Sequence, residues 1–148
     1  MPTNASALTV APERELADRL HSAAIHLLRR ARRGDPLTGA TPAQLSALSV
    51  LMSGPKTLGE LASAEQVRAP TISRLSAEME RVDLIRRKSD PGDRRVARVE
   101  MTAKGRRVLA KGRKLRIAEI ERRVRLLAKH DIATLSDAVD LIERMLRD

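Results

Sequence analysis

The chain has 148 residues and a formal net charge of +10 at pH 7, and it contains no Phe, Tyr, Trp or Cys. A length of this order fits one domain. The excess of positive charge indicates a polyanionic partner, nucleic acid before an acidic membrane surface. The lack of aromatic rings disfavours single-strand and RNA-binding modules, because those stack bases on aromatic side chains. The lack of cysteine excludes disulfides, thiolate zinc sites and thiol redox switches.

Two further classes of protein are disfavoured. No apolar run approaches the ~20 residues of a membrane span, and the N-terminus MPTNASALTVAP lacks the pattern of a signal peptide. The three histidines, His21, His26 and His130, have no metal-site spacing, and HExxH, phosphate-loop and GxSxG motifs are missing. We therefore expect a cytoplasmic protein that is not an enzyme, with no catalytic residues, no metal and no cofactor.

The first two predicted helices are recognised by periodicity and by their ends. Apolar residues recur at three- and four-residue steps from Pro12 to Arg33, and Gly34-Asp35-Pro36 ends that run. The capping-box sequence Thr41-Pro42-Ala43-Gln44 opens a second helix. This helix is apolar nearly all round up to Ser53-Gly54-Pro55, which predicts a buried central position.

A pair of shorter helices follows. A second capping box, Thr57-Leu58-Gly59-Glu60, opens a third helix that ends at about Ala64. After a break at Glu65-Gln66-Val67, a fourth helix has Pro70 near its first turn and extends to about Val82. Its apolar residues keep helical spacing on one face: Ile72, Leu75, Met79 and Val82.

A hairpin and two helices complete the chain. Leu84 to Lys88 and Val96 to Met101 are predicted strands joined by the turn Asp90-Pro91-Gly92-Asp93, and the second strand alternates with the period of two. A long basic helix is predicted from Ala103 to about Lys129, and a last helix starts at Asp131. Whether the early basic residues of the long helix touch DNA phosphates stays open.

Two short helices joined by a tight turn and followed by a charged hairpin predict a winged helix-turn-helix. In such a pair the second helix enters the major groove of DNA with its N-terminal residues. Arginine can grip guanine through two hydrogen bonds, Ser and Thr can bond to bases or phosphates, and alanine permits close approach. The predicted reading face consists of Arg68, Ala69, Thr71, Ser73 and Arg74.

Five segments of the chain form a recognisable set: Thr41-Pro42-Ala43-Gln44-Leu45, Leu58-Gly59-Glu60-Leu61-Ala62, Pro70-Thr71-Ile72-Ser73-Arg74-Leu75, Asp93-Arg94-Arg95 and Met101-Thr102-Ala103-Lys104-Gly105. In these segments the chain resembles the MarR family of bacterial transcriptional regulators, and the resemblance extends over positions 13 to 147. It implies a mainly α fold of six helices with a small two- or three-stranded β-wing. It also implies an intertwined homodimer in which residues 12–35 and 103–148 dimerise and residues 36–102 form the DNA-binding region.

The resemblance implies a function as well. It suggests a repressor that binds a pseudo-palindromic operator in double-stranded DNA and is released by a small phenolic or anionic ligand. The ligand would lie between the first two helices and the fifth, near the dimer interface. His21, His26, Arg29 and Arg30 on the first helix are the residues we expect to hold it.

The chain departs from the family pattern at three places. Glu65 and Gln66 stand where the helix-turn-helix turn has an apolar residue and a glycine, and Arg68 stands where a cap serine is common. The missing cap costs about 1 kcal/mol, which is plausible if Arg68 contacts DNA. Asp83 replaces a glycine after the fourth helix, and aspartate tolerates the left-handed conformation better than most residues.

The wing residues receive separate roles. The resemblance implies that Asp93 and Arg95 brace each other, and Arg94 is the residue expected at the tip, in the minor groove. Arg86, Lys88 and Arg98 are expected to line the flanking phosphates.

A nonspecific, basic DNA-packing protein of the nucleoid type is the alternative function. Positive charge alone gives nonspecific binding, so such a protein would show little sequence preference. A regulator would instead recognise a site with two half-sites about one helical turn apart. Its affinity for that site would exceed its affinity for other DNA by 10³-fold or more.

Overall fold

The computed structural model describes residues 11–147. Residues 1–10 and residue 148 lie outside the described part, and residue 148 is the last residue of the predicted dimerisation range. The described part forms six α-helices and a three-stranded antiparallel sheet, which confirms the predicted fold class. In chain order the elements are α1 (Pro12–Ala31), α2 (Pro42–Val50), β1 (Lys56–Thr57), α3 (Leu58–Ala64), α4 (Ala69–Arg81), β2 (Ile85–Ser89), β3 (Ala97–Met101), α5 (Ala103–Val124) and α6 (Lys129–Met145).

Both predicted capping boxes are present. The Thr41 hydroxyl accepts the Gln44 backbone N–H at 3.2 Å, and the Gln44 side chain accepts the Thr41 N–H at 3.0 Å. Thr57 and Glu60 repeat the arrangement at the start of α3, with distances of 3.1 and 2.7 Å. Each box satisfies two backbone donors that a helix start leaves without a partner. Local sequence therefore determines where α2 and α3 begin.

The link between the wing and α5 depends on a close backbone approach. The Thr102 hydroxyl accepts the Gly105 N–H at 2.9 Å and donates to the Asp83 carbonyl at 2.6 Å. A Cβ atom at Gly105 would lie 2.1 Å from the Leu84 carbonyl oxygen, so no other residue fits there. The Thr-x-x-Gly spacing thus seats the start of α5 against the strand that precedes the wing.

The buried core lies within the helix-turn-helix and the sheet. α2, α3, α4 and the inner face of the sheet supply its side chains, which are aliphatic throughout. Those with less than 2% exposure include Leu45, Leu48, Leu61, Ile72, Met79, Ile85 and Val99. This part of the chain forms its own hydrophobic core.

The sheet has one strand more than the hairpin alone predicted. β3 lies between β1 and β2, with Thr57 and Lys88 both opposite Arg98. β1 is only two residues long, so its own sequence carries no alternation that could identify it. Its place in the sheet follows from the turn that brings it back beside β3.

The helix ends differ from prediction at two places. The segment Arg32–Thr38 continues α1 as a 3-10 helix through Gly34-Asp35-Pro36, since Asp35 is drawn into the interior. α5 ends at Val124, about five residues earlier than predicted, and Ala128, with φ −67° and ψ 156°, caps α6. Asp131 consequently lies in the first turn of α6, where its charge favours the helix dipole.

α1 and α6 leave their apolar residues uncovered. Only Ala31 is buried on α1, and no described residue of α6 is buried. Both helices nevertheless have a strong amphipathic pattern, so each presents an apolar stripe to the outside of the subunit. The exposed aliphatic residues include Leu16, Ile25, Leu27 and Leu28 on α1 and Ile132, Leu135, Val139, Leu141 and Met145 on α6.

Within residues 11–147, no helix is long and apolar enough to cross a membrane.

Candidate nucleic-acid interface

The turn between α3 and α4 accommodates the two unusual residues. Gln66 takes the left-handed conformation with φ 55°, and its neighbour Val67 donates its N–H to the Ala62 carbonyl at 3.0 Å. Glu65 accepts a hydrogen bond of 3.0 Å from the Ser46 hydroxyl on α2. A hydrogen bond that an apolar side chain at position 65 cannot make therefore anchors the turn to the core helix α2.

The fourth helix has one buried face and one exposed face. Ile72, Ser76 and Met79 are buried against the core, and the predicted reading residues are all exposed. Arg68 occupies the N-cap position without a side-chain cap hydrogen bond. Its guanidinium extends from the helix start, where the helix dipole adds to its positive potential. The arrangement offers hydrogen-bond donors at the end of the helix that a recognition helix presents to DNA.

The residue after α4 adopts the predicted left-handed conformation. Asp83 has φ 60°, and Leu84 donates its N–H to the Met79 carbonyl at 2.9 Å. This reversal directs the chain into β2 immediately after α4. The helix and the wing are thus separated by only a few residues of fixed backbone.

Asp90, at the end of β2, organises the wing turn. Its Oδ1 atom accepts the Gly92 and Asp93 backbone N–H groups at 2.8 and 3.2 Å, and its Oδ2 atom accepts from Arg98 Nε. The Arg98 contact, followed by the two backbone N–H groups, holds the pKa of Asp90 below its usual value. Asp90 therefore acts as a brace as well as a turn residue.

The Asp93–Arg95 contact differs from the predicted brace. The Asp93 carboxylate accepts the backbone N–H of Arg95 at 2.9 Å. Among residues 11–147 the Asp93 carboxylate makes no ion pair with the Arg95 guanidinium, so the contact between the two residues is a hydrogen bond from backbone to side chain. The ionic brace of the wing is the Asp90–Arg98 pair.

Several wing arginines are engaged by carboxylates. Arg86 contacts Glu100 at 2.6 Å and Arg87 contacts Glu80 at 2.9 Å, while Arg98 contacts Glu60 at 3.3 Å in addition to Asp90. The Arg86 guanidinium holds the pKa of Glu100 below its usual value. Arg86 and Arg98, which were expected beside phosphates, are thus paired within the protein. The exposed wing cations without an ion pair in the described part of the chain are Lys88, Arg94 and Arg95.

The Arg98–Asp90 pair has a signal in the sequence that turn chemistry alone does not reveal. Lys88 lies directly opposite Arg98, and Asp90 comes two residues later, just past the end of β2. Diagonal neighbours on one face of a hairpin lie within reach of long side chains. An Asp-Arg pair at this offset from a predicted turn is therefore recognisable as a cross-strand pair.

A buried ion pair joins the segment after α1 to α5. Asp35 has no exposed side-chain surface, and Arg116 contacts its two carboxylate oxygens at 2.8 and 2.7 Å. The hydrogen bond with Asp35 raises the pKa of Arg116 above its ordinary value. The partners are 81 residues apart in sequence, so no local pattern relates them.

A cleft of about 280 Å³ opens beside that ion pair. It is lined by residues of α2, the segment after it, and α5: Leu45, Ser49, Met52, Leu109, Gly112, Arg113, Arg116, Ile117 and Ile120. None of the four predicted ligand residues on α1 lines it. His21, His26 and Arg29 are exposed on α1, and Arg30 lies 3.8 Å from Glu119. Their role stays a prediction.

Comparison with known proteins identifies relatives over most of the chain. The model of the MarR family matches residues 40–97. An uncharacterized HTH-type transcriptional regulator of Mycobacterium leprae is 30% identical over 132 residues, which cover 88% of this chain and 92% of that protein.

Solved structures agree with this assignment. A MarR family protein of Bacillus stearothermophilus is 26% identical with a TM-score of 0.75, and the transcriptional regulator Tm0710 of Thermotoga maritima is 26% identical with a TM-score of 0.77. Each match covers 90% of this chain and 94% of the other. The chain therefore belongs to the MarR family and is a DNA-binding transcriptional regulator.

Proposed function

We propose that the protein is a homodimeric, sequence-specific repressor that binds a pseudo-palindromic operator and is released by a small ligand. The main observation behind this proposal is the exposed face of α4, which presents hydrogen-bond donors suited to base edges: Arg68, Thr71, Ser73 and Arg74. The neighbouring wing has cations at its tip that make no ion pair within the described residues. A nonspecific packing protein needs charge alone, whereas this face combines arginines with short hydroxyl side chains, the residue types that distinguish base edges.

The two DNA-contacting elements have different tasks in this proposal. α4 enters the major groove, where Arg74 and Arg68 grip guanine or phosphate and Ala69 permits close approach. Arg94 at the wing tip enters the adjacent minor groove, whose narrow stretches concentrate negative potential. Lys88 and Arg95 neutralise the phosphates that flank it. This division is supported by their exposure and by their freedom from ion pairs within residues 11–147.

Dimerisation is supported by the uncovered faces of α1 and α6. Contiguous aliphatic surface of this kind marks an interaction site in a water-soluble protein. Two copies related by a two-fold axis would cover the same residues on each subunit and present two recognition helices to two half-sites. Residues 12–35 and 103–148 then form the dimerisation region, and residues 36–102 form the DNA-binding region.

A footprint on the DNA upstream of its own gene tests the function. A symmetric protected site of about 20 bp, matching two half-sites one helical turn apart, is expected. Competition with unrelated duplex should show discrimination of 10³-fold or more. Uniform coating without a preferred site would favour the packing protein instead.

Arg94→Ala tests the minor-groove contact. We expect roughly tenfold weaker binding and a log–log salt slope shallower by about 0.9 for each phosphate that is no longer neutralised, with thermal melting unchanged. Ser89→Ala, on the neighbouring strand end, is the matched control. If the Arg94→Ala variant binds the DNA with wild-type affinity, Arg94 does not contact it.

The effector site is proposed at the cleft between α2 and α5. Its walls are mostly aliphatic with Arg113 and Arg116 at one side, which suits a small aromatic acid. Titration calorimetry should detect the heat of salicylate binding to the wild-type protein and to the Arg29→Ala variant, and no binding heat for the Arg113→Ala variant. The reverse result would favour the residues predicted on α1. A DNA-bound regulator of this kind is expected in the cytoplasm, associated with the nucleoid.

A further inference from the structure

Arg98 occupies a central position on the outer face of the sheet. It lies on the middle strand, with Thr57 of β1 opposite on one side and Lys88 of β2 opposite on the other. On the same strand, Val99 and Met101 are buried on the inner face of the sheet. Lys88 and Arg98 are like charges placed directly opposite each other, an arrangement that destabilises a strand pair.

Two carboxylates on opposite sides offset this repulsion. Arg98 Nε donates to Asp90 at the base of the wing, and Arg98 Nη1 donates to Glu60 Oε2 on α3 at 3.3 Å. The hydrogen bond with Asp90 raises the pKa of Arg98. The side chain is only 33% exposed. Two of the five N–H donors of its guanidinium group thus point at protein carboxylates, one on each side of the strand.

Glu60 connects this cluster to the helix-turn-helix backbone. The same Oε2 atom that meets Arg98 accepts the Thr57 N–H at 2.7 Å and completes the capping box of α3. α3 packs against α4, the recognition helix. A continuous chain of contacts therefore joins the wing turn, the middle strand and the first helix of the pair.

We propose that Arg98 is a positioning residue, which through Asp90 and Glu60 holds the wing at a fixed place relative to the recognition helix and does not bind a DNA phosphate. This inference rests on the DNA-binding mode proposed above. It assigns a further use to two carboxylates whose negative charge lies close to the proposed DNA interface. The pre-set spacing lets α4 and the wing tip reach adjacent grooves without an ordering cost at binding.

A positioning role and a phosphate-contact role predict opposite changes in DNA affinity when a neighbouring carboxylate is neutralised. If Arg98 bound phosphate, neutralising a neighbouring carboxylate would free the guanidinium and strengthen DNA binding. If Arg98 positions the wing, the same change weakens DNA binding although it removes a negative charge. Glu60→Gln keeps an oxygen that can accept the Thr57 N–H, and Asp90→Asn keeps one for the turn. Both variants thus remove the charge while retaining the backbone hydrogen bonds.

Binding is measured on a duplex selected by the wild-type protein from a random-sequence library, over a salt series near 0.15 M. We expect Glu60→Gln, Asp90→Asn and Arg98→Gln each to bind about two- to fivefold more weakly, the scale of an exposed ion pair, with the salt slope unchanged. Glu60→Gln/Arg98→Gln should be no weaker than Arg98→Gln alone, since both changes remove one link, and Arg98→Lys should recover part of the loss.

Glu78→Gln is the matched control. Glu78 is an exposed carboxylate on α4, four residues after Arg74, without an ion pair in the described chain, so its neutralisation should leave affinity equal or higher. Equal or tighter binding by Glu60→Gln, or a salt slope reduced by about 0.9 per subunit in Arg98→Gln, overturns the proposal. If Arg94→Ala still weakens binding in that case, the proposed function stands. Failure of the wild-type protein to select any sequence overturns the proposed function itself.

Discussion

The helix-turn-helix with its sheet and the pair α1 and α6 use apolar residues in different ways. In the first region Leu61, Ile72 and Met79 are at most 1% exposed, whereas on α6 Leu135 and Val139 are 41% and 44% exposed. Both regions have regular helical spacing of aliphatic residues. The spacing alone therefore indicates an apolar face, and only the packing tells whether the same subunit covers it.

This difference separates two sources of stability. The DNA-binding region gains its free energy of folding from contacts within one chain. The uncovered apolar stripes of α1 and α6 can be buried only by association, so the stability that they contribute depends on protein concentration. Four predictions test this separation, in order of decreasing effect.

The largest effect is expected from a charge on α6. Leu135→Asp should weaken the proposed dimer by roughly thousandfold or more, because each of the two subunits would place a carboxylate without a partner in an apolar contact. Sedimentation equilibrium measures the dissociation constant. Val67→Asp in the helix-turn-helix turn, where the valine is 38% exposed, is the matched control and should leave it unchanged. Equal association of the Leu135 variant and the wild type would contradict the assigned face.

A cavity in the internal core should behave differently. Leu61→Ala is expected to lower the free energy of unfolding by about 3 kcal/mol per subunit, since Leu61 is fully buried. The dimer dissociation constant should not change. Urea unfolding and sedimentation on the same samples distinguish the two quantities. A weakened dimer in this variant would mean that the regions are not separable.

The Asp35–Arg116 pair lies where the two regions join. Removing one partner of a buried pair leaves an uncompensated charge. We expect Arg116→Met, which strands the fully buried Asp35, to lower the free energy of unfolding by about 3 kcal/mol. Asp35→Asn should lower it by about 2 kcal/mol, because Arg116 keeps 23% exposure and can be solvated. Urea unfolding at pH 7 gives both values, and the opposite ranking would argue against this account.

The smallest effect is expected at the wing turn. Asp93→Ala removes the acceptor of the Arg95 N–H, whereas Arg95→Ala keeps that hydrogen bond. Global stability should change by less than about 0.5 kcal/mol in either variant. Amide exchange at position 95 should accelerate about tenfold only in Asp93→Ala. Faster amide exchange in Arg95→Ala as well would instead support the side-chain brace between Asp93 and Arg95 that the family resemblance implies.

Local signals explain what was predictable. The two capping boxes, the left-handed Asp83, the absence of a cap at Arg68 and the inner face of α4 each depend on residues within a few positions of one another, and each is found where expected. The wing strands were located to within about one residue for the same reason.

Contacts between distant residues were not predictable in this way. β1 is too short to show a period, Asp35 and Arg116 are far apart in sequence, and the 3-10 turn after α1 exists because Asp35 reaches that partner. The ends of α5 and α6 also differ from prediction, because neither a glycine nor a proline occurs in residues 125–128, which separate the two helices.

The sequence by itself determined the order of the helices, the hairpin and the family, because capping, periodicity and turn chemistry act over a few residues. Only the tertiary structure decided which charges are free to meet DNA. Arg86, Arg87 and Arg98 resemble Lys88 and Arg94 in sequence. The packing of strands and of α4 nevertheless brings a carboxylate from elsewhere in the fold to each of the first three. A side chain's availability depends on its spatial neighbours, and these are set by the fold.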